Sequence, residues 1–325
     1  MISNSDKKTI QCLVILGPTS SGKSETAVRA AQKNNGEIIS ADSRQIYKDM
    51  DLGTGKVEGK WIKTRDTKIF IYKNIPHHLI DFQDPKKDYN ISHFKKDCEE
   101  KIIEIYQRGK LPIICGGTGF WISSVIHGIS LPQVKPDPDL RKILQEKNNQ
   151  ELFQKLEELD PRRAEKIDPS NKARLIRSIE IAQKMGKVPQ LKTKSQTNGN
   201  ITTREIKDYE INFYQFALDI PFEKLEKKIK ERINKRYKQG MVKEVKYLKE
   251  ERRLSFEKIQ SFGLAYYWMP LFLQGKITEE EVLEKIYLAE RRYAKKQLTW
   301  LKKEKGIKWI DKNKDLISLD NSMDK

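Results

Sequence analysis

The stretch "CLVILGPTSSGKS", residues 12 to 24, decides the fold, because an apolar run passes without interruption into the pattern G-x-x-x-x-G-K-[ST]. That order of strand, glycine-bearing turn and helix start is a phosphate-binding loop. Gly17 and Gly22 let the backbone turn with its amide hydrogens inward, and Pro18, Thr19, Ser20 and Ser21 carry the amides and hydroxyls between them. Lys23 brings a point charge that phosphate oxygens can share, and Ser24, the first helical hydroxyl, is placed for Mg²⁺. The helix read from "SETAVRAAQKN" adds the partial positive charge of its N-terminus. A loop of this kind predicts a diphosphate or triphosphate ligand. It does not name the reaction, since kinases, hydrolases and other diphosphate users share the cradle.

Outward from the loop, "EIISAD" (37 to 42) and "LPIICGG" (111 to 117) are further apolar runs with the look of buried parallel strands. A helix separates them over "SHFKKDCEEKIIEIYQRG", in which Phe94, Cys98, Ile102, Ile105 and Tyr106 recur at helical spacing. Such alternation predicts an α/β protein, a P-loop NTPase-like core with a mostly parallel sheet, and places ligand sites beyond the carboxyl ends of the strands. Asp42, Ser43 and Gln45 follow the second strand there. A carboxylate at that place can ligate Mg²⁺, cap a helix, or accept a hydrogen bond from an attacking nucleophile. Gly116, Gly117, Thr118 and Gly119 follow the third strand, where glycines admit a ligand close to the backbone and Thr118 can donate to phosphate or nucleic acid. The plainer reading of the same glycines is tight packing of a helix on the sheet.

After Gly128 the texture changes to "ISLPQVKPDPDLRK", a helical stretch follows, and then the polar segment "LKTKSQTNGNITTREIKD". This predicts a helical insertion on flexible joints, residues 131–200, within a core made of 8–130 and 205–315. The run "INFYQFALDI" at 211 to 220 resumes a strand, and the last third reads as a helical C-terminal region. There Ile229, Ile233 and Tyr237 form one apolar stripe, and Ile286, Ala289, Tyr293 and Leu298 contribute to another.

Of 325 residues, 64 are Lys or Arg and 46 Asp or Glu, a formal charge of +18. Residues 221–310 hold 24 basic and 13 acidic residues, a surplus of 11 that is over half the total. An excess concentrated in this way predicts a polyanionic partner. The three cysteines, Cys12, Cys98 and Cys115, form no C-x-x-C pair and read as small core residues of a reducing compartment. The pair His77 and His78 lacks metal-ligand spacing. No signal segment and no apolar run long enough to span a bilayer occurs, so the expectation is a cytoplasmic protein with no membrane partner.

Together these motifs resemble the tRNA dimethylallyltransferases, also called tRNA isopentenyltransferases. The blocks that carry the likeness are "GPTSSGKS", "ISADSRQIY", "DLGTGK", "HHLIDFQDP", "YNISHF", "IICGGTGFW", "DPSNKARLIRSIEI", "ERINKRYKQGMVKEV" and "RRYAKKQLTW", and they run through most of the chain. The resemblance implies transfer of the prenyl group of dimethylallyl diphosphate to N6 of adenosine 37, beside the anticodon of tRNAs that read codons beginning with U. It implies that residues 17–24 hold the diphosphate, that Mg²⁺ sits at Ser24, and that Asp42 is the general base. Lys23 and an arginine of "ERINKR" would stabilise the leaving pyrophosphate, Arg236 being the first choice and Arg232 the alternate. Ser43, Arg44, Gln45 and Thr118, with Asp42, correspond to tRNA contacts near the target base. Arg174 and Arg177 correspond to contacts with the anticodon stem-loop, made by the insertion as a tRNA-binding domain. A monomer is expected, because the clamp around RNA can be built within one chain.

The chain departs from the family pattern at "FGL" (262 to 264, usually IGY), at "GGTGFW", at Glu290 where Thr is usual, and at Lys296 where Arg is usual. The absence of paired cysteines implies no zinc finger of the kind found in eukaryotic relatives. Three other functions fit the loop: a P-loop kinase of a small metabolite, a prenyltransferase acting on free adenine nucleotide, and an RNA-binding protein whose loop only anchors phosphate. The first would turn over ATP, the second would accept adenosine monophosphate, and the third would release no pyrophosphate.

Overall fold

Residues Leu13 and Ile15 face one side of the first strand and Cys12, Val14 and Leu16 the other, and all five are fully buried, so this strand lies at the centre of a sheet covered on both faces. The computed structural model of the chain describes residues 7–64 and 67–311. The elements follow in the order β1 (Lys8–Leu16), α1 (Lys23–Lys33), β2 (Gly36–Ala41), β3 (Lys60–Lys63), β4 (Lys68–Tyr72), β5 (Ile75–His78), α2 (Ile91–Gln107), β6 (Leu111–Gly116) and α3 (Gly119–Ile126). Then come α4 (Pro138–Glu146), α5 (Asn149–Leu159), α6 (Pro161–Ala164), α7 (Lys172–Met185), β7 (Ser195–Asn198), β8 (Ile201–Ile206) and β9 (Tyr209–Asp219). The chain closes with α8 (Phe222–Lys238), α9 (Met241–Glu250), α10 (Phe256–Ser261), α11 (Ala265–Leu273), α12 (Glu279–Lys303) and β10 (Lys308–Asp311).

The strands form one sheet in the order β3-β4-β5-β2-β6-β1-β9-β8-β7, with β10 beside β9. Its centre, β5-β2-β6-β1-β9, is parallel, as the uninterrupted apolar runs require, and antiparallel strands extend it at both ends. The sheet is thus mixed, with the parallel strands expected from the sequence at its centre. One face packs on α1 through Ala27, Val28, Ala30 and Ala31. The other carries the larger core, in which Phe94 and Cys98 of α2, Trp121 and Ile122 of α3, and Ile229, Ile233, Ile286 and Ala294 of the C-terminal helices come together.

Two compact units divide the chain, 129–193 being one and the rest the other. The smaller unit folds around Leu144, Leu152, Leu156, Leu175, Ile176 and Ile179. At about 1.5–3 kcal/mol for each fully buried leucine or isoleucine, these side chains are its main stabilising contribution. Its helices start where side chains cap them: Asp137, Asn148, Asp160 and Asn171 each accept from a backbone amide of the first turn. Residues 194–200, read from the sequence as part of the insertion and its flexible joint, instead belong to the larger unit, where β7 pairs with β8 and β8 with β9. The alternation of Thr202, Arg204 and Ile206 inward against Thr203 and Glu205 outward is a period-2 signal that the polar composition concealed. No helix among the described residues is long and apolar enough to cross a membrane.

Candidate active site

The phosphate loop turns at Ser20 and Gly22, whose φ values are 61° and 95°, a left-handed backbone that glycine adopts without strain. Behind it, Lys23 Nζ donates to the Pro18 carbonyl at 3.3 Å. Burial lowers the Lys23 pKa from its ordinary value, and the Arg232 charge lowers it further, while Asp42 and Cys115 act in the opposite sense. Burial pushes the Cys115 thiol up to about 11, so it remains a neutral thiol beside the lysine. Ser24 and Asp42 border, with Lys23, one cavity of about 370 Å³ at the carboxyl ends of β1 and β2.

Asp42 serves the turn that follows β2: its Oδ1 accepts from the amides of Arg44 at 2.9 Å and Gln45 at 3.3 Å. The plainer reading of a capping carboxylate is thus realised, yet only one oxygen is used, and Oδ2 has no protein hydrogen bond among the described residues. Ser43 and Thr118 tie the two strand ends together, since the Ser43 amide donates to Thr118 Oγ1 at 3.0 Å and the Thr118 amide to the Ala41 carbonyl at 3.2 Å. Arg44 Nε donates to the Phe262 carbonyl at 2.7 Å and its guanidinium lies 5.2 Å over the Tyr293 ring. Gln45 Nε2 donates to the Gly55 carbonyl at 3.2 Å. Arg44 and Gln45 border the cavity, whereas Gly17, Pro18, Ser21, Ser43 and Thr118 stand behind its wall.

The two arginines of α8 divide differently from the expectation. Arg232 reaches the phosphate loop, donating to Thr19 Oγ1 at 3.0 Å, Ser20 Oγ at 3.3 Å and the Gly55 carbonyl at 2.9 Å. Arg236, the first choice from sequence, is 5% exposed and committed elsewhere: to Glu290 Oε1 at 2.5 Å and to the carbonyls of Leu52 at 3.0 Å and Gly53 at 3.4 Å. One helical turn separates the pair, both border the cavity, and Arg232 is the one bonded to the phosphate loop. Burial and the adjacent Arg236 charge lower the Arg232 pKa, with Glu290 and Asp42 opposing. In the smaller unit, Arg174 is exposed, whereas Arg177 is half-buried and held by Glu180 Oε2 at 3.2 Å and the Val134 carbonyl at 2.7 Å.

Four residues that build this site were not among those expected there: Glu290, noted only as a departure from the family pattern, Tyr293, placed in an apolar stripe, Gln297 and Glu244. On α12, Glu290, Tyr293 and Gln297 fall at i, i+3 and i+7 and present one face to the cavity. Gln297 Oε1 accepts from the Thr19 amide at 2.8 Å and its Nε2 donates to the Gly117 carbonyl at 2.9 Å, joining the phosphate loop to the end of β6. A Cβ on residue 117 would collide with this amide and lie 3.1 Å from the Gly17 carbonyl, so the glycine there is a close-approach glycine. Burial, and then the Asp42 carboxylate, push the Tyr293 phenol up, with Arg44 and Thr118 opposing. On α9, Glu244 accepts from the amides of Asp51 at 2.8 Å, Leu52 at 2.6 Å and Gly53 at 2.9 Å, fixing the "DLGTGK" loop. Glu290 and Gln297 are both buried, yet they stand on a helix rich in charged residues, so their composition offered no signal.

Among the described residues no group of three His, Cys, Asp or Glu side chains is arranged to hold a metal. His78 Nε2 lies instead 2.6 Å from Glu37 Oε2, and burial pushes the His77 pKa down to about 4. A cation at this site would take one hydroxyl, from Ser24, and otherwise ligand oxygens and water, the sparse coordination that suits Mg²⁺ bound through phosphate.

A phosphate loop, a carboxylate on the neighbouring strand end and a half-buried arginine bonded to the loop, around one cavity, define an α/β P-loop enzyme that works on a phosphorylated substrate. The IPP transferase family model matches residues 45–304, and the chain belongs to that family. The tRNA dimethylallyltransferase of Finegoldia magna is 36% identical over 306 residues, covering 93% of this chain and 91% of the relative. That of Acetivibrio thermocellus is 38% identical over 307 residues, with coverage of 93% and 91%. The solved tRNA isopentenylpyrophosphate transferase of Bacillus halodurans superposes with a TM-score of 0.65 at 30% identity, covering 98% of this chain and 96% of that one.

Proposed function

We infer that this chain is a tRNA dimethylallyltransferase, transferring the dimethylallyl group of dimethylallyl diphosphate to N6 of adenosine 37 in tRNAs reading codons that begin with U. The observation that carries the reading is the joint placement of Lys23, Arg232 and Asp42 around one cavity, in a chain of the IPP transferase family. In this reaction the N6 lone pair attacks C1 of the prenyl group as the bond from C1 to the diphosphate oxygen breaks. The electron pair leaves with pyrophosphate, and the proton on N6 passes to the carboxylate of Asp42.

The residues divide the work by charge. The amides of residues 17–24 and the Lys23 ammonium hold the diphosphate, and Arg232 meets the oxygens on which charge grows as the bond breaks. Contacts of that kind raise turnover more than affinity. Adenine N6 is weakly basic, so Asp42 acts mainly by orienting the amine and by neutralising charge as the new bond forms. Mg²⁺ at Ser24, when bound, lowers the charge of the departing group. Arg44 and Gln45 frame the acceptor base, turned out of its stack, while Ser43 and Thr118 hold that frame. The smaller unit meets the anticodon stem-loop with Arg174 and Arg177.

The test is to supply labelled dimethylallyl diphosphate and Mg²⁺ with unmodified tRNA, with adenosine monophosphate, or with ATP and no acceptor. Label in tRNA alone is the expected result. Label in the free nucleotide, or consumption of ATP with no prenyl transfer, would overturn the reading.

A further inference from the structure

β3 is the outermost strand of the sheet, and its four residues, Lys60, Trp61, Ile62 and Lys63, are all exposed. It pairs antiparallel with β4 so that Trp61 stands opposite Phe70 and Lys63 opposite Lys68. Directly paired and alternate residues share a face, so Trp61, Lys63 and Lys68 stand on one side of the hairpin. On that side Trp61 and Phe70, with Lys235 of α8, border a second cavity of about 290 Å³. It shares Gly55, Lys56, Val57, Arg232 and Arg236 with the catalytic cavity, so the two adjoin across these residues.

Three features of this face call for a ligand. Two lysines directly opposite one another repel, and Lys63, Lys68 and Lys235 have no acidic partner among the described residues. The Trp61 ring is fixed, because its indole N–H donates to Asp81 Oδ2 at 2.7 Å and it stands edge-on to Phe70 with centroids 5.7 Å apart, yet it is 41% exposed. The carboxylates nearby are largely spent: Lys56 Nζ holds Asp51 at 2.6 Å and Asp81 at 2.5 Å, leaving Glu58 as the acid facing the cavity. Lysines on an edge strand also discourage edge-to-edge pairing between copies. That function explains the charges and leaves a fixed, exposed tryptophan at the mouth of a cavity unexplained.

We propose that the β3–β4 hairpin is a second RNA-binding surface, in which the tRNA strand adjoining the target lays its phosphates on Lys63, Lys68 and Lys235 and stacks one base on Trp61. The partner is RNA on grounds of chemistry: an aromatic face accepts any base, and lysines spaced along it track a phosphodiester backbone. The inference rests on the tRNA reading given above and adds a surface to it.

Equilibrium binding of unmodified tRNA to the full-length protein over a range of salt tests it. The triple variant Lys63→Gln, Lys68→Gln, Lys235→Gln should flatten the slope of log affinity against log salt by roughly 2, at about 0.7–0.9 for each phosphate no longer neutralised. Trp61→Leu should weaken binding about tenfold with the slope unchanged, and Trp61→Phe, which keeps an aromatic face, should restore most of it. Far-UV circular dichroism checks that each variant folds, and the exposed lysines keep the test open should the tryptophan variants fail. Parent-like binding and slope in the triple variant would overturn the proposal, as would a change confined to self-association, which would make the hairpin an interface between copies. Failure of the parent itself to bind tRNA would instead strike at the tRNA reading.

Discussion

Replacing Arg232 by Gln removes a guanidinium that bridges Thr19, Ser20 and Gly55 without disturbing the apolar stripe of α8. Two unit charges about 4 Å apart interact by about 4 kcal/mol at an effective dielectric constant near 20. Only the part that grows as the leaving oxygen gains charge acts on the rate. Loss of one donor to such an oxygen costs about 3–4 kcal/mol, a fall of roughly 10²–10³ in rate. The assay is single-turnover transfer of labelled dimethylallyl diphosphate to saturating unmodified tRNA. Arg236 supplies the contrast. With Arg236 and Glu290 exposed by only 5% and 2%, Arg236→Met alone strands a buried carboxylate and costs about 3–5 kcal/mol of stability. Arg236→Met combined with Glu290→Thr removes both charges, should recover most of that stability, and should keep a rate within about fivefold of the parent, about 1 kcal/mol. An Arg232→Gln enzyme as fast as the parent, or a paired variant as slow as Arg232→Gln, would refute this division between the two arginines.

Asp42→Asn keeps an acceptor for the Arg44 and Gln45 amides but removes the negative charge, so the single-turnover rate should fall about 10²-fold or more while tRNA affinity stays within about twofold. Equal rates would remove Asp42 from the chemistry. Gln297→Met preserves length and deletes both bonds that join the phosphate loop to β6; with Thr19 left misaligned, the KM for dimethylallyl diphosphate should rise about tenfold, and an unchanged KM would contradict the bridge. For Glu37, burial raises the carboxyl pKa, but hydrogen bonds from His78 and Arg108 outweigh it and hold the group below its ordinary value of 4.5. A depressed carboxylate stabilises the fold above its unfolded pKa and loses that effect as pH falls through the folded one. Glu37→Gln should therefore lose about 1–2 kcal/mol in denaturant unfolding at pH 7, a deficit that shrinks toward zero below about pH 4. A deficit that grows in acid would contradict the pairing.

The parallel centre of the fold was legible because buried parallel strands read as unbroken apolar runs, as "CLVIL" and "EIISA" do, and because the phosphate loop fixes what precedes and follows it. The sheet's edges were not. β3 is "KWIK" and β7 is "SQTN", each four residues long and half or more polar, so no alternation accumulates, and the same shortness hid "IPHH", the last strand of the parallel centre. At the site, Lys23 and Asp42 were visible from their strand ends, whereas the separate tasks of Arg232 and Arg236 depend on which carbonyls and carboxylate surround each guanidinium. Gln297 was hidden for a related reason. Its partners, Thr19 and Gly117, lie far off in sequence, and only the packing of α12 over two strand ends brings them together.

Pyrophosphate release, followed alongside prenylated adenosine in digested tRNA, tests the central claim most directly. One pyrophosphate should appear for each N6-prenylated adenosine, with none formed when tRNA is omitted. Pyrophosphate released without tRNA, or a prenyl group found on any atom other than N6 of adenosine, would contradict a cavity that joins the donor's diphosphate at Lys23 to the acceptor amine at Asp42.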